Sequence, residues 1–369
     1  MVAVEHFRLA VDAQSILVAT RHGSVPRRQW LRRTGETSTT ALFIKSCSLL
    51  GLPMRHADVG LKATRWHNQK MAILVGTASW TDKTLVDSGL FYPPEAKSAE
   101  ARLRYYASRF PMVEVDSSYY AMPAPATSQL WVERTPADFV FNLKAFRLFT
   151  GHQTSPTVLH KDLREALPAS DRKMLYYRDL PPELIDELWR RFKEALEPLR
   201  AAGKLVAVHF QFAPWLVSNR DGHAHVRECA ERMDGLRCAI EFRNKSWFDE
   251  THRAGTLEFE RELGAAHVVV DSPQGFANSV PPVWDITSTQ LAVVRLHGRN
   301  SATWNVKGAT AASDRFNYDY SDAELQQLVP EILSLERRAE LVQVIFNNNY
   351  EDQGQRNAAT LMNMLQWRA

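Results

Sequence analysis

Five short apolar runs limit what this chain can fold into, because each breaks off at a charged or amide residue. They are Phe139-Val-Phe-Asn-Leu-Lys144, Val206-Ala-Val-His-Phe-Gln211, Ala239-Ile-Glu-Phe-Arg243, Ala292-Val-Val-Arg-Leu-His297 and Val344-Ile-Phe-Asn-Asn348. A nearly continuous apolar run of this length suits a parallel strand covered on both faces. A polar group inside such a strand is costly unless it sits at an open end or has a partner. Strands that turn polar at their C-terminal ends are the pattern of an α/β barrel or open α/β sheet with its site at those ends.

The remainder of the chain from Met71 fits between these runs. Further buried strands are predicted near 72–77, 112–116 and 266–271. Amphipathic helices are expected near 99–109, 125–134, 182–199, 223–233, 252–263, 321–339 and 355–365. Pro182-Glu-Leu suits a first helical turn, and Ser321-Asp-Ala-Glu324 reads as a capping box. Counted together they give eight strand-then-helix units, which points to a TIM-type (β/α)₈ barrel, with a doubly wound open sheet as the alternative. The long 145–181 segment reads as an excursion over the site.

Charge separates the first fifth of the chain from the rest. Of 45 Lys and Arg and 42 acids, residues 1–70 hold 11 and four, which leaves 34 basic and 38 acidic residues for 71–369. A body of net −4 is not the composition of a general polyanion binder. Segment 1–70 shows no sustained period and fits three readings: a targeting peptide, a basic arm, or sequence upstream of a natural start at Met71. The expected organisation is an unstructured or non-native, poorly ordered basic extension (1–70) followed by the barrel domain (71–369). Three distant cysteines, Cys47, Cys229 and Cys238, suit reduced thiols and a cytoplasmic location. No apolar run approaches the ~20 residues of a membrane span, so no membrane association is expected.

Side chains two apart on a strand share a face. Asn142 with Lys144, His209 with Gln211, Glu241 with Arg243, and Arg295 with His297 should therefore point into the barrel together. Asp271 closes the sixth strand and Asn347 the eighth, while Trp80, Tyr119 and Tyr120 come from early loops. Lys144, Arg243, Arg295 and Arg299 are candidates to hold an anion, since arginine grips carboxylate or phosphate through parallel hydrogen bonds. Gln211 and Asn347 would orient hydroxyls, and Asn142 is a further candidate to bind the substrate. Glu241 or Asp271 could act as general base and His297 as acid or base. Simple neutralisation of Glu241 by a neighbouring arginine is the structural alternative. The cofactor is left open: Glu241, Asp271, His297 and His209 are plausible ligands for a catalytic metal. The interleaved Arg and Lys weigh against a multi-metal cluster.

Several longer motifs carry a family likeness. They are Gly76-Thr-Ala-Ser-Trp80, Phe91-Tyr-Pro-Pro94, Val113-Glu-Val-Asp-Ser-Ser-Tyr-Tyr120, Phe139-Val-Phe-Asn-Leu-Lys-Ala145, Glu241-Phe-Arg-Asn-Lys-Ser-Trp-Phe248, Arg295-Leu-His-Gly-Arg299 and Phe346-Asn-Asn348. In this order, over about 73–365, they resemble the YecE-like proteins, the domain of unknown function numbered 72. The resemblance implies a TIM-type barrel and supplies no established activity. Where that family usually has Phe-Arg-His-Pro-Ser-Trp, this chain has Asn244 and Lys245 between Arg243 and Ser246, which removes one candidate ligand or acid. The leading expectation is an uncharacterised enzyme, hydrolase or isomerase-like, acting on a small anionic or sugar-like ligand. The alternatives are a nucleic-acid-binding or metal-dependent nuclease-like barrel, with Tyr119, Tyr120 and Trp304 stacking on bases, and a non-catalytic ligand-binding protein.

Overall fold

The computed structural model describes residues 10–12, 15–17, 73–168, 173–305 and 312–366. Near the N-terminus, Ala10–Asp12 and Ser15–Leu17 pair as a short antiparallel ladder. Otherwise the expectations for 1–70 and for a start at Met71 lie outside the described residues.

Eight parallel strands close into a barrel: β1 (Ile73–Ala78), β2 (Met112–Val115), β3 (Val140–Lys144), β4 (Leu205–Gln211), β5 (Cys238–Glu241), β6 (Ala266–Asp271), β7 (Ala292–Leu296) and β8 (Val342–Phe346). β8 pairs with both β7 and β1, which completes the ring. Closure removes every sheet edge, so the backbone hydrogen bonds of these short strands are satisfied within the ring. The doubly wound alternative is thereby excluded.

Helices α1 (Lys83–Ser88), α2 (Ala99–Ala107), α3 (Ser117–Tyr120), α4 (Pro125–Glu133), α5 (Lys161–Glu165), α6 (Pro182–Ala201), α7 (Arg220–Arg232), α8 (Arg253–Glu262), α9 (Asp322–Glu336) and α10 (Gln353–Gln366) lie in the connections. On α6, Leu188, Trp189, Phe192, Ala195, Leu196 and Leu199 form the buried stripe, at the three- and four-residue spacing of one helix face. Trp189 stacks on Phe149 with ring centres 3.7 Å apart, tying this helix to the loop after β3. The expected capping box of α9 is formed by Ser321 and Glu324.

The expected count of eight strand-then-helix units is corrected at one place. Between β6 and β7 the chain runs from 272 to 291 without a helix. Pro273, Pro281 and Pro282 explain it: each lacks a backbone donor and clashes with a preceding helical turn. Val280 and Val283 are buried from this irregular segment. Two short elements escaped the sequence reading. Asp82 caps α1 by accepting from the Thr84 amide, and the aromatic stretch 117–120, expected as a loop, makes one helical turn.

Candidate active site at the barrel mouth

Strand register separates the residues that face the barrel axis from those that face the helices. Gln211 lies beside Glu241, and Val270 beside Arg295, so these belong to the inward set. The inward groups then meet across the barrel, between strands that are not neighbours. Arg295 on β7 is the hub. Its Nη1 donates to Glu241 Oε2 of β5 (2.8 Å) and to Gln211 Oε1 of β4 (3.1 Å). Its Nη2 donates to Glu114 Oε1 of β2 (2.5 Å) and to Asn347 Oδ1 beyond β8 (3.0 Å). A guanidinium suits this place because its rigid fork reaches several strands at once while remaining charged.

Two histidines complete the layer. His209 Nδ1 lies 2.7 Å from Glu114 Oε2, and its Nε2 lies 3.3 Å from Glu241 Oε2 without hydrogen-bond alignment. His297 Nε2 lies 3.2 Å from Glu241 Oε1, and its Nδ1 faces the Asn347 amide nitrogen at 2.9 Å. The Asn347 oxygen is already engaged by Arg295, so its NH₂ group donates to His297 Nδ1. His297 is then the neutral tautomer with its proton on Nε2, donated to Glu241. Arg243 Nη1 adds a further donor to Glu241 Oε1 at 3.1 Å.

Arg295, Glu114 and Glu241 are 0% exposed, and the ionisation of the layer follows from that. Burial alone would raise both carboxyls, but Arg295 and the neighbouring histidines together outweigh it. Glu114 is held down at about 2, and Glu241 well below the usual carboxylate range. His297 is lowered to about 3 by burial, against the pull of Glu241. Burial opposes the charged form of His209 too, but Glu114 prevails and its pKa is raised. At neutral pH the layer holds ionised carboxylates, a guanidinium and a neutral His297.

Above it the site changes character. Lys144 Nζ reaches Asp116 Oδ1 at 3.1 Å and sits 4.9 Å from the centre of the Tyr119 ring. Arg147 lies against the same ring at 5.3 Å, and Arg243 against Trp304 at 5.0 Å. Among the described residues Arg147 makes no ion pair, and its buried Nε has no hydrogen-bond partner. Arg315, exposed and likewise without an ion pair among the described residues, lies within electrostatic reach of Tyr120 and Arg243. His152 is lowered to about 3 by burial and then by Lys144, Arg147 and Arg243, so it senses the same cations.

Most of the sequence-predicted residues are brought together here: Lys144, Gln211, Glu241, Arg243, Arg295, His297 and Asn347 form one connected set with Asp116, which lies 3.9 Å from Arg295. Asn142 is buried two residues behind Lys144 and donates to Gln343 Oε1 at 2.7 Å. Tyr119 packs beneath the cations, and Tyr120 beside it is 48% exposed.

Four of the expected residues, Asp271, Arg299, Trp80 and Trp304, lie elsewhere. Asp271 pairs in register with the apolar Leu296 rather than with Arg295, so it points away from the barrel axis. There it accepts from Arg299 at 2.5–3.1 Å and from the Tyr320 hydroxyl at 3.1 Å, while Arg299 also reaches Glu324 of α9 at 3.3 Å. Asp271 and Arg299 thus form a clasp between the sheet and α9, apart from the Arg295 network. The inward set of β6 is Ala266, Val268 and Val270, which is why this strand gives the site no polar group. Trp80 is buried edge-on to Trp131 in the apolar core, and its carbonyl accepts from Tyr92. Trp304, 1% exposed, has no open face for a base. Among the described residues no three His, Cys, Asp or Glu side chains are placed to share a metal, since Arg295 and the histidines occupy the carboxylates that would.

Glu114, Asp116, Arg147 and Arg315 were missed. The same two-residue rule applies to Glu114 and Asp116 and would have found them. Arg147 and Arg315 lie on loops and carry no strand signal.

Fold and network together define the class: a (β/α)₈ barrel whose inward polar groups converge at the C-terminal ends of its strands, the face on which barrel enzymes carry their sites. Residues 74–369 match the pattern described as "Protein of unknown function DUF72", and the chain belongs to that family. It is 32% identical over 295 residues to the UPF0759 protein YunF of Bacillus subtilis, covering 79% of this chain and 94% of that one. Among solved structures it is similar to a family member from Thermotoga maritima, at 28% identity and a TM-score of 0.62 over 80% of this chain and 99% of that one. Another, from Enterococcus faecalis, gives 26% identity and a TM-score of 0.65 over 80% and 96%.

Proposed function

We propose that the mouth of the barrel binds a small anionic ligand on Lys144, Arg147, Arg243 and Arg315. The carrying observation is that Arg147 and Arg315, beside two further cations, have no carboxylate partner among the described residues. Guanidinium groups without counter-ions, Arg147 half-buried and Arg315 exposed, can hold an incoming anion through charge-assisted hydrogen bonds. Arg295 and Arg299, first expected to share this task, are already committed to carboxylates.

If the ligand is turned over, the proton chemistry belongs to different groups from those first expected. Every oxygen of Glu241 faces a cationic or N–H group, and both nitrogens of His297 are engaged. A carboxylate held so far below its ordinary range is a weak base. Asp116, open enough to meet a ligand and 3.1 Å from Lys144, is the better candidate, with Glu241 fixing the position of Arg243 above it.

Calorimetric titration of the full chain with inorganic phosphate tests the reading. Arg147→Met is expected to weaken binding by roughly ten- to a hundredfold, as loss of one charge-assisted bond worth about 1.5–3 kcal/mol requires. Binding that is indifferent to Arg147, Lys144 and salt would sink the proposal.

A further inference from the structure

The cations do not stand alone at the mouth. Tyr120 meets Tyr119 edge-on with centroids 5.0 Å apart, Tyr119 meets His152 at 5.3 Å, and His152 meets Trp215 at 5.5 Å. The rings form a continuous track of edge contacts that meets Lys144 and Arg147 at Tyr119, with the exposed Tyr120 and Trp215 at its ends. Trp215, on the loop after β4, is 54% exposed. Its Nε1 donates to the Gly151 carbonyl at 3.0 Å, so the indole is held in place although more than half of it faces solvent. Scattered exposed aromatics need no explanation. A pinned indole at the edge of a cation cluster is different, because its polar edge is satisfied inward and its flat surface is left for something else.

From this track, and resting on the anion site just proposed, we infer that the ligand is a phosphorylated ring compound. Its phosphate sits on Lys144, Arg147, Arg243 and Arg315, and its ring lies on Trp215. Two guanidinium groups without carboxylate partners among the described residues match a dianion better than a single carboxylate, and a phosphate monoester carries about −1.5 to −2 at neutral pH. A net −4 body disfavours a long polyanion. The flat surface of an indole accepts either a nucleobase or the C–H face of a sugar ring, and stacking of a base on an aromatic is worth about 1–3 kcal/mol.

Titration of the full chain with inorganic phosphate, glucose 6-phosphate and adenosine monophosphate separates these cases. At least one ring compound is expected to bind ten- to a hundredfold more tightly than inorganic phosphate, and which one gains identifies the ring. Trp215→Ala is expected to abolish that gain while leaving inorganic phosphate binding unchanged, and Trp215→Phe to keep most of it. Equal affinity for all three probes, or a gain that survives Trp215→Ala, overturns the ring inference and leaves the anion site standing. If no probe binds, both fall together.

Discussion

The same kinds of residue do different work in two layers of this barrel. In the inner layer Arg295, Glu114, Glu241, His209 and His297 are buried, and their charges face one another. In the outer layer Lys144, Arg147, Arg243 and Arg315 gather around Tyr119 and Tyr120 with Asp116 as the nearest open carboxylate. The inner charges are closed on themselves and fix the positions of strand ends. The outer charges retain unused bonding capacity. Sequence patterns identify Lys144, Glu241, Arg243, Arg295 and His297 as polar strand ends, but only tertiary contacts show which of them are closed on one another.

That contrast breaks most readily at Arg295. Arg295→Met leaves Glu114 and Glu241 buried without their shared cation, and loss of one member of a buried pair costs about 3–5 kcal/mol. Arg147→Met removes an unpaired cation and should change stability by no more than about 0.5 kcal/mol. Urea unfolding of the two variants measures the difference. Similar losses at both positions would mean that Arg147 is part of the scaffold, and the separation into layers would fail.

Acid sharpens the same comparison, because each layer holds one imidazole lowered to about 3, His297 inside and His152 at the rim. An unfolded imidazole titrates near ~6.5. Between about 6.5 and 3 the unfolded chain therefore takes up protons that the folded one refuses. Stability is full above that window and falls as pH drops through it, by about 1.4 kcal/mol per pH unit for each imidazole. Glu114, depressed to about 2, adds to the loss below its unfolded value of ~4.3. His209 is raised, so its contribution is complete below ~6.5 and fades only as pH rises through its folded pKa. In His152→Gln, denaturant midpoints measured from pH 7 to 5 should fall less steeply than in the wild type. An unchanged slope would place the effect in other buried imidazoles, His297 of the inner layer and His225, which burial also lowers.

The barrel itself was legible because period and position agree along each strand: apolar residues fill its length and a polar one stands at its C-terminal end. Lys144, Glu241, Arg243, Arg295 and His297 could be placed on the inward face by counting in twos. The same count fails at Asp271, since the inward parity of β6 is set by Val270 beside Arg295, and register between strands is invisible in a single chain. Arg147 was illegible for another reason. Its place against the Tyr119 ring depends on the turn after β3, where its amide donates to the Tyr119 carbonyl at 3.0 Å. Nor does the sequence show that Arg243, Arg295, His209 and His297 converge on Glu241. Loop geometry and ionisation state both arise from tertiary contacts that local pattern does not encode.

The smallest effect expected concerns where the mouth stores strain. Ser79, directly after β1, has φ +88°, a region costly for any residue with a Cβ. Its amide donates to the Glu114 carbonyl at 2.9 Å, and its carbonyl accepts from Thr77 Oγ1 at 2.9 Å, so bonds on both sides hold the turn. The chain thus bends immediately beside the strand that carries Glu114 and Asp116. Ser79→Ala loses the hydroxyl that accepts from the Thr81 amide but keeps the strain, whereas Ser79→Gly loses the same hydroxyl and relieves it. Glycine should therefore exceed alanine in stability by about 1 kcal/mol, even after its larger loss of chain entropy. If the bend serves to aim Asp116 and its neighbours at a ligand, the more stable glycine variant will bind phosphate no better, and its looser turn will bind it more weakly. Equal stability of the two variants would show that the conformation is not strained, and the bend would then carry no argument about the site.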